Sequence, residues 1–193
     1  MVEANLKIIS ELKLVLEEVA NNVDLKLLFV DGPESFTRDR KLTLQKIVGI
    51  IINMPKRSLS IEINDFFNLF NDNKPATKGA FSLQRGKLLP VFFQVWNAWL
   101  VDSFYKYYGN DIKRWKGFIL LAVDGSTLNL VDKKEEVDYF GTQDNQYSNT
   151  PIARIMQTYD VLNDITIMSD IQPIKISEKA MITSRISNFF VIA

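Results

Sequence analysis

One stretch of the sequence decides the fold, Phe118-Ile119-Leu120-Leu121-Ala122-Val123-Asp124-Gly125-Ser126-Thr127. Its first six residues are apolar without interruption, which predicts a short strand buried on both faces of a sheet. Asp124 follows at the predicted end of this strand, and Gly125 leaves room for a ligand close by. A carboxylate at that position suits a hard cation such as Mg²⁺. An Asp-Gly pair is also a common turn dipeptide and is more often structural, so the spacing alone leaves both roles open.

Further strands are predicted downstream of this stretch. Residues 152–161 and 165–174 are β-rich, and Leu162-Asn163-Asp164 between them predicts an antiparallel hairpin. Ser177 is the predicted N-cap of a helix, and Phe189–Ala193 is a second buried-strand pattern. Three antiparallel strands, a helix and a fourth strand, in this order, match the opening of a ribonuclease H-like fold.

The part of the chain before this stretch is predicted to be helical. Apolar residues recur there at three- and four-residue steps, separated by Gly-Pro, Asn and Pro breaks. The predicted helices span about 4–21, 37–53, 61–70, 77–88 and 90–107. The aromatic stripe of the last helix is assigned to the core rather than to base stacking. We therefore predict an α+β chain with an N-terminal helical domain (1–112) and a second domain (113–193) that opens like a ribonuclease H-like fold and contains a polar loop (132–151).

Composition excludes several classes of protein. The chain has 193 residues, no cysteine and no histidine, which excludes zinc fingers, thiolate or Ser-His catalysis and haem ligation. Carboxylates remain as the strong metal ligands. No signal peptide and no apolar run of the roughly 20 residues that a membrane helix needs are present, so we expect a soluble cytoplasmic protein without a membrane partner.

Positive charge is concentrated in the middle of the chain. The 23 basic and 23 acidic residues cancel overall, but residues 74–117 hold eight basic residues against two acidic ones. The predicted 77–88 helix follows a turn after the 61–70 helix, as in a helix-turn-helix motif. Its outward face would present Lys78, Ser82, Arg85 and Lys87 to DNA phosphates. The alternative interpretation is an ordinary solvated basic face.

Five separated segments resemble one family in the same order. Phe118–Thr127 is similar to the strand and DGT/DGS motif of insertion-sequence DDE transposases of the IS-four-like group. Four other segments also resemble that group: 36–44 (Phe-Thr-Arg-Asp-Arg-Lys-Leu-Thr-Leu), 77–88 (Thr-Lys-Gly-Ala-Phe-Ser-Leu-Gln-Arg-Gly-Lys-Leu), 139–143 (Tyr-Phe-Gly-Thr-Gln) and 159–164 (Tyr-Asp-Val-Leu-Asn-Asp).

The resemblance implies a metal-dependent DNA transposase that cuts and transfers strands at insertion-sequence ends. In that family three acidic residues hold two Mg²⁺ or Mn²⁺ ions. Asp124 matches the first acid, while the Asp-Arg-Gly motif of the second and the Tyr-x2-Arg-x3-Glu-x6-Lys motif of the third have no match in the sequence. Asp160 is not a substitute, because antiparallel pairing was expected to place it on the order of 20 Å from Asp124.

We therefore expect an incomplete chain that binds the terminal repeats of an element, as a homodimer on DNA and associated with the nucleoid. It should bind metal weakly or not at all and be inactive alone. Whether the chain counts as an enzyme stays open. The alternative is a DNA-binding or interaction module, or the remnant of a decayed element, without catalysis.

Overall fold

The computed structural model describes residues 2–38, 40–54, 57–72, 74–142 and 150–189, with the side chains of 185–189 excepted. The chain divides into two compact units, Val2–Trp96 and the residues from Asn97 onward. The described part of the first unit is helical, and the second holds a three-stranded antiparallel sheet with helices. The predicted α+β class is confirmed. The division falls inside a helix, and the domain boundary expected between residues 112 and 113 stays a prediction.

The first unit is built from short helices with capped starts. Threonine side chains begin two of them: Thr43 accepts from the backbone N–H of Lys46 at 3.3 Å, and Thr77 from that of Ala80 at 3.2 Å. The helix predicted from Thr37 therefore begins later, after Thr43. The helices are α1 Val2–Asn21, α2 Val23–Leu27, α3 Leu44–Ile52, α4 Leu59–Asn68, α5 Lys78–Arg85 and the first half of α6 Val91–Tyr108. The sequence had not indicated α2.

The core of this unit is aromatic and aliphatic. Phe29 and Phe92 meet edge to face with their ring centroids 5.5 Å apart, a favoured geometry for an aromatic pair. Gly49 in α3 allows close packing, since a Cβ there would lie 3.1 Å from the ring of Phe66 in α4. The side chains with less than 2% exposure are Val19, Ile47, Val48, Ile50, Ile63, Phe67, Phe81 and Phe92.

The second unit contains the predicted hairpin. Strands β1 Leu121–Asn129, β2 Ile152–Asp160 and β3 Ile165–Pro173 pair antiparallel in the order β1-β2-β3. The β2–β3 turn lies at residues 161–164, and Asp164 adopts a positive φ of 62° there. The two strands match their predicted ranges closely. The unit also contains a 3₁₀ turn (η1 Gly109–Asp111), α7 Lys134–Phe140 and α8 Glu178–Phe189.

Strand β1 corrects the interpretation of residues 118–127. The strand begins at Leu121 and continues to Asn129, so Asp124 lies within it and does not close it. The predicted burial on both faces is also wrong: Phe118 is 71% exposed and Val123 39% exposed. Seven of the nine residues of β1 are exposed, so side chains on both of its faces are open, and in the described residues β1 pairs only with β2 at an edge of the sheet.

The predicted loop at 132–151 contains a helix, because Lys134–Phe140 forms α7. Ser177 caps α8 as predicted, accepting from the N–H of Ala180 at 3.2 Å. The first residue of the predicted fourth strand, Phe189, is instead the last residue of α8. The other four, residues 190–193, lie outside the described residues.

Among the described helices, none combines the length and the apolar character needed to cross a membrane.

The second half of α6 is joined to the sheet by polar side chains. The Asn97 amide donates to the carbonyls of Thr166 and Ile167 at 3.3 and 2.9 Å, beside the irregular β2–β3 register. Further along α6, the Tyr105 hydroxyl donates to Asp160 Oδ2 at 2.7 Å. Burial, and then the hydrogen bond and charge of Asp160, raise the pKa of Tyr105 above its usual range. Tyr105 therefore remains a donor at neutral pH.

We expect Tyr105→Phe to lower the free energy of unfolding by about 1–3 kcal/mol, because buried Asp160 loses one donor. Stability should also fall as pH rises above about 10, since an unfolded tyrosine then ionises while folded Tyr105 keeps its proton. Tyr159→Phe is the matched control, because its hydroxyl donates to exposed Asp164. Urea denaturation measures both. Equal losses for the two variants would contradict the role given to Tyr105.

Candidate nucleic-acid interface

Helix α5 presents the basic face that the sequence predicted. Phe81 is fully buried and fixes the rotation of the helix against the first unit. Lys78, Ser82 and Arg85 stand at i, i+4 and i+7, which places them on one face, and all three are exposed. The three residues are therefore accessible to a ligand as a group.

Lys87 has a different position from the other three residues. It follows the C-cap Gly86, beyond the last turn of α5, and its side chain is half-buried. The connection between α4 and α5, residues 69–77, is longer than the three- or four-residue turn of a helix-turn-helix motif. The two helices thus form a pair with a different connection from the one predicted.

Lys87 lies beside a segment distant in sequence. Val30 and Leu88 form an antiparallel bridge, in which the Asp31 N–H donates to the Lys87 carbonyl at 2.8 Å. The Leu89 N–H donates to the Phe29 carbonyl at 2.9 Å. This bridge places the loop after residue 31 next to the end of α5.

A cleft of about 240 Å³ opens between that loop and α5. Three of its lining side chains are cationic and one is acidic, which gives the cleft an excess of positive charge. Within the described residues none of the three cations forms an ion pair with a carboxylate. The lining residues are Glu34, Phe36, Thr37, Arg38, Arg40, Leu42, Gln84 and Lys87.

The loop that lines the cleft has a fixed but costly backbone conformation. Phe36 has a φ of 55°, a left-handed conformation that costs a bulky residue roughly 1–2 kcal/mol. The Ser35 hydroxyl donates to the Asp31 carbonyl at 2.7 Å and stabilises the turn before it. Buried Leu42 holds the other end of the loop. Such strain is concentrated at functional sites, which agrees with a ligand-binding role for the cleft.

The sequence did not assign Arg38 and Arg40 to binding. Both stand in the 36–44 segment that carried the family resemblance, beside Lys41. These three cations are the feature of the sequence that could have indicated a binding role. Their proximity to Lys87 depends on the Val30–Leu88 bridge, which joins residues far apart in the chain and cannot be predicted from a local pattern.

Asp124 lies on strand β1 of the second unit. It is exposed on β1, directly opposite Gln157. Asp160 pairs with Leu121, three residues from Asp124, so the separation along the sheet is roughly 10 Å and not 20 Å. The odd offset also places the two side chains on opposite faces. Asp160 accepts from the backbone N–H groups of Leu162 and Asn163, as expected of a turn residue.

The neighbourhood of Asp124 does not fit a divalent-metal site. Among the described residues no group of three acidic side chains comes together. The nearest charged group to Gly125 is Glu178: a Cβ on Gly125 would lie 2.5 Å from its Cδ. Glu178 accepts from Arg154 Nη1 at 2.8 Å and is already neutralised by it. It also lies on the opposite face from Asp124, as the alternation of β1 requires.

Comparisons of the chain with protein-family models, with curated proteins and with solved structures gave no match.

We expect the 193-residue chain to show no Mg²⁺- or Mn²⁺-dependent nicking of supercoiled plasmid, because one carboxylate cannot hold two ions. Asp124→Asn should behave like the unaltered protein on agarose gels. Nicking that disappears in Asp124→Asn would show that the site is complete.

Proposed function

We propose that the chain binds DNA and corresponds to the DNA-recognition part of an insertion-sequence DDE transposase. The observation that carries the proposal is the cleft beside α5. The two N-terminal segments that resemble the family, 36–44 and 77–88, are far apart in sequence, and their residues line this one basic cleft.

The charge and exposure of the surface support binding to phosphates. Lys78 and Arg85 are exposed on α5, and Arg38, Arg40 and Lys87 stand at the cleft. Basic side chains that neutralise phosphates supply most of the sequence-independent affinity for DNA. The Ser82 hydroxyl on the same face of α5 adds a neutral hydrogen-bonding group.

The second unit is compatible with the opening of a ribonuclease H-like domain. An antiparallel β1-β2-β3 sheet followed by helix α8 is the order that such a domain begins with. In this proposal Asp124 is the first of the family's three metal-binding acids. The absence of a group of three acidic side chains among the described residues favours the second candidate, a DNA-binding module without catalysis of its own.

The DNA ligand defines where the protein acts. The terminal repeats of a mobile element are the proposed target, and a homodimer would engage two of them. The site of action is then the nucleoid in the bacterial cytoplasm.

We expect Arg85→Glu with Lys87→Glu to weaken binding to duplex DNA about tenfold or more. The magnitude of the slope of log K against log salt should fall by about 2, because two phosphate contacts are lost. Fluorescence anisotropy across a salt titration measures both quantities. Arg38→Gln with Arg40→Gln should lower the slope in the same direction, which tests the cleft separately.

The control is Lys13→Glu with Lys26→Glu, which makes the same change in net charge on α1 and α2. This variant should keep its affinity and slope close to those of the unaltered protein. If both charge reversals weaken binding equally, the effect comes from net charge and the α5 surface is not the binding site.

A further inference from the structure

A two-residue hairpin precedes β1 and carries two aromatic side chains. Trp115 and Phe118 exchange both backbone hydrogen bonds, at 2.8 and 2.9 Å. Lys116 and Gly117 between them have φ values of 49° and 90°. Positive φ at both central residues defines a type I′ turn, the tightest common hairpin connection.

The base of this hairpin is fixed to the β2–β3 turn. Asn163 accepts from the Lys113 N–H at 2.8 Å and donates to the Lys113 carbonyl at 3.0 Å. The other strand continues toward β1, where the Val161 N–H donates to the Leu120 carbonyl at 3.0 Å. The hairpin is therefore a rigid projection from the sheet.

The two aromatic side chains leave the hairpin on the same face and are open to solvent. Residues that exchange both hydrogen bonds in an antiparallel pair are directly opposite and share a face. Trp115 is 54% exposed and Phe118 is 71% exposed. Both side chains therefore offer exposed aromatic surface on which a nucleobase can stack.

One cation lies against the Trp115 ring, and two more are adjacent to it in sequence. Lys116 Nζ lies 4.7 Å from the centroid of the Trp115 ring. Lys113 and Arg114 precede the ring directly in sequence. Among the described residues none of these three cations forms an ion pair with a carboxylate. A planar ligand on the rings would therefore have positive charge beside it for an attached phosphate.

We propose that the 113–118 hairpin binds unpaired nucleotides, with a base stacked on Trp115 and Phe118 and its phosphate beside Lys113 and Lys116. Aromatic stacking with adjacent cations is the general mode of single-strand binding. A lipid surface would use the same aromatic and cationic groups, and nucleotides are chosen because the proposed function supplies a DNA ligand. The inference rests on the proposed function for its DNA ligand, but its surface is separate from α5 and the cleft.

The test compares binding of the 193-residue chain to a single-stranded oligo-dT and to duplex DNA. Trp115→Ala should weaken oligo-dT binding about 5- to 150-fold, which corresponds to the value of one base–aromatic stack. Duplex binding should remain unchanged. Trp115→Phe should lose less than Trp115→Ala, and Lys116→Gln should lower the salt slope for oligo-dT by about 0.7.

Tyr139→Ala is the matched control, because Tyr139 is also exposed, at 63%, on the same unit. Equal affinities of Trp115→Ala and Tyr139→Ala for oligo-dT would overturn the proposal. So would Trp115-dependent binding to phosphatidylglycerol vesicles without Trp115-dependent binding to oligo-dT. If the proposed function is wrong, duplex binding will be insensitive to Arg85→Glu with Lys87→Glu. The two proposals therefore fail in different experiments.

Discussion

The carboxylate of Asp160 is the polar group on which the second unit depends. Its residue is fully buried, and a buried carboxylate must be satisfied by donors. Tyr105 of α6, two backbone N–H groups of the β2–β3 turn and the Asn163 amide supply them. Asn163 in turn holds the strand that leads into the aromatic hairpin. One side chain thus joins a helix, a tight turn and an exposed projection, and this explains why Asp160 has a structural role and is not available to a metal.

The two units present different chemical groups to a ligand. On the first unit, the cationic side chains come from α5 and from a loop whose backbone is strained at Phe36. On the second, the aromatic side chains stand on a rigid turn with cations around them. The first arrangement suits the regular phosphates of a duplex, and the second suits a base that is free to stack. Neither arrangement involves Asp124.

Local patterns predicted much of this fold. The β2–β3 hairpin follows from two β-rich runs around a polar turn, and the cap at Ser177 follows from residue type. Lys78, Ser82 and Arg85 are exposed as their polar side chains predict. These features depend on residues that are close together in the chain, so they can be predicted from the sequence.

The errors concern features that depend on distant partners. The apolar run at 118–123 predicted a strand buried on both faces. Such burial requires other elements packed over the strand, and seven of the nine residues of β1 are exposed. The register that places Asp124 opposite Gln157 depends on where β1 starts, and an error there changed the expected distance to Asp160. Arg38 and Arg40 were not assigned because the bridge that brings them to Lys87 joins residues far apart in the chain.

We propose that the 34–42 and 78–88 segments form one DNA-binding surface. Hydrogen–deuterium exchange of the chain with and without duplex DNA measures the protection of both segments. We expect slower exchange in peptides from both segments, with the same dependence on DNA concentration, and unchanged exchange in α1. Slower exchange in only one of the two segments, or in neither, would show that they do not bind DNA as one surface.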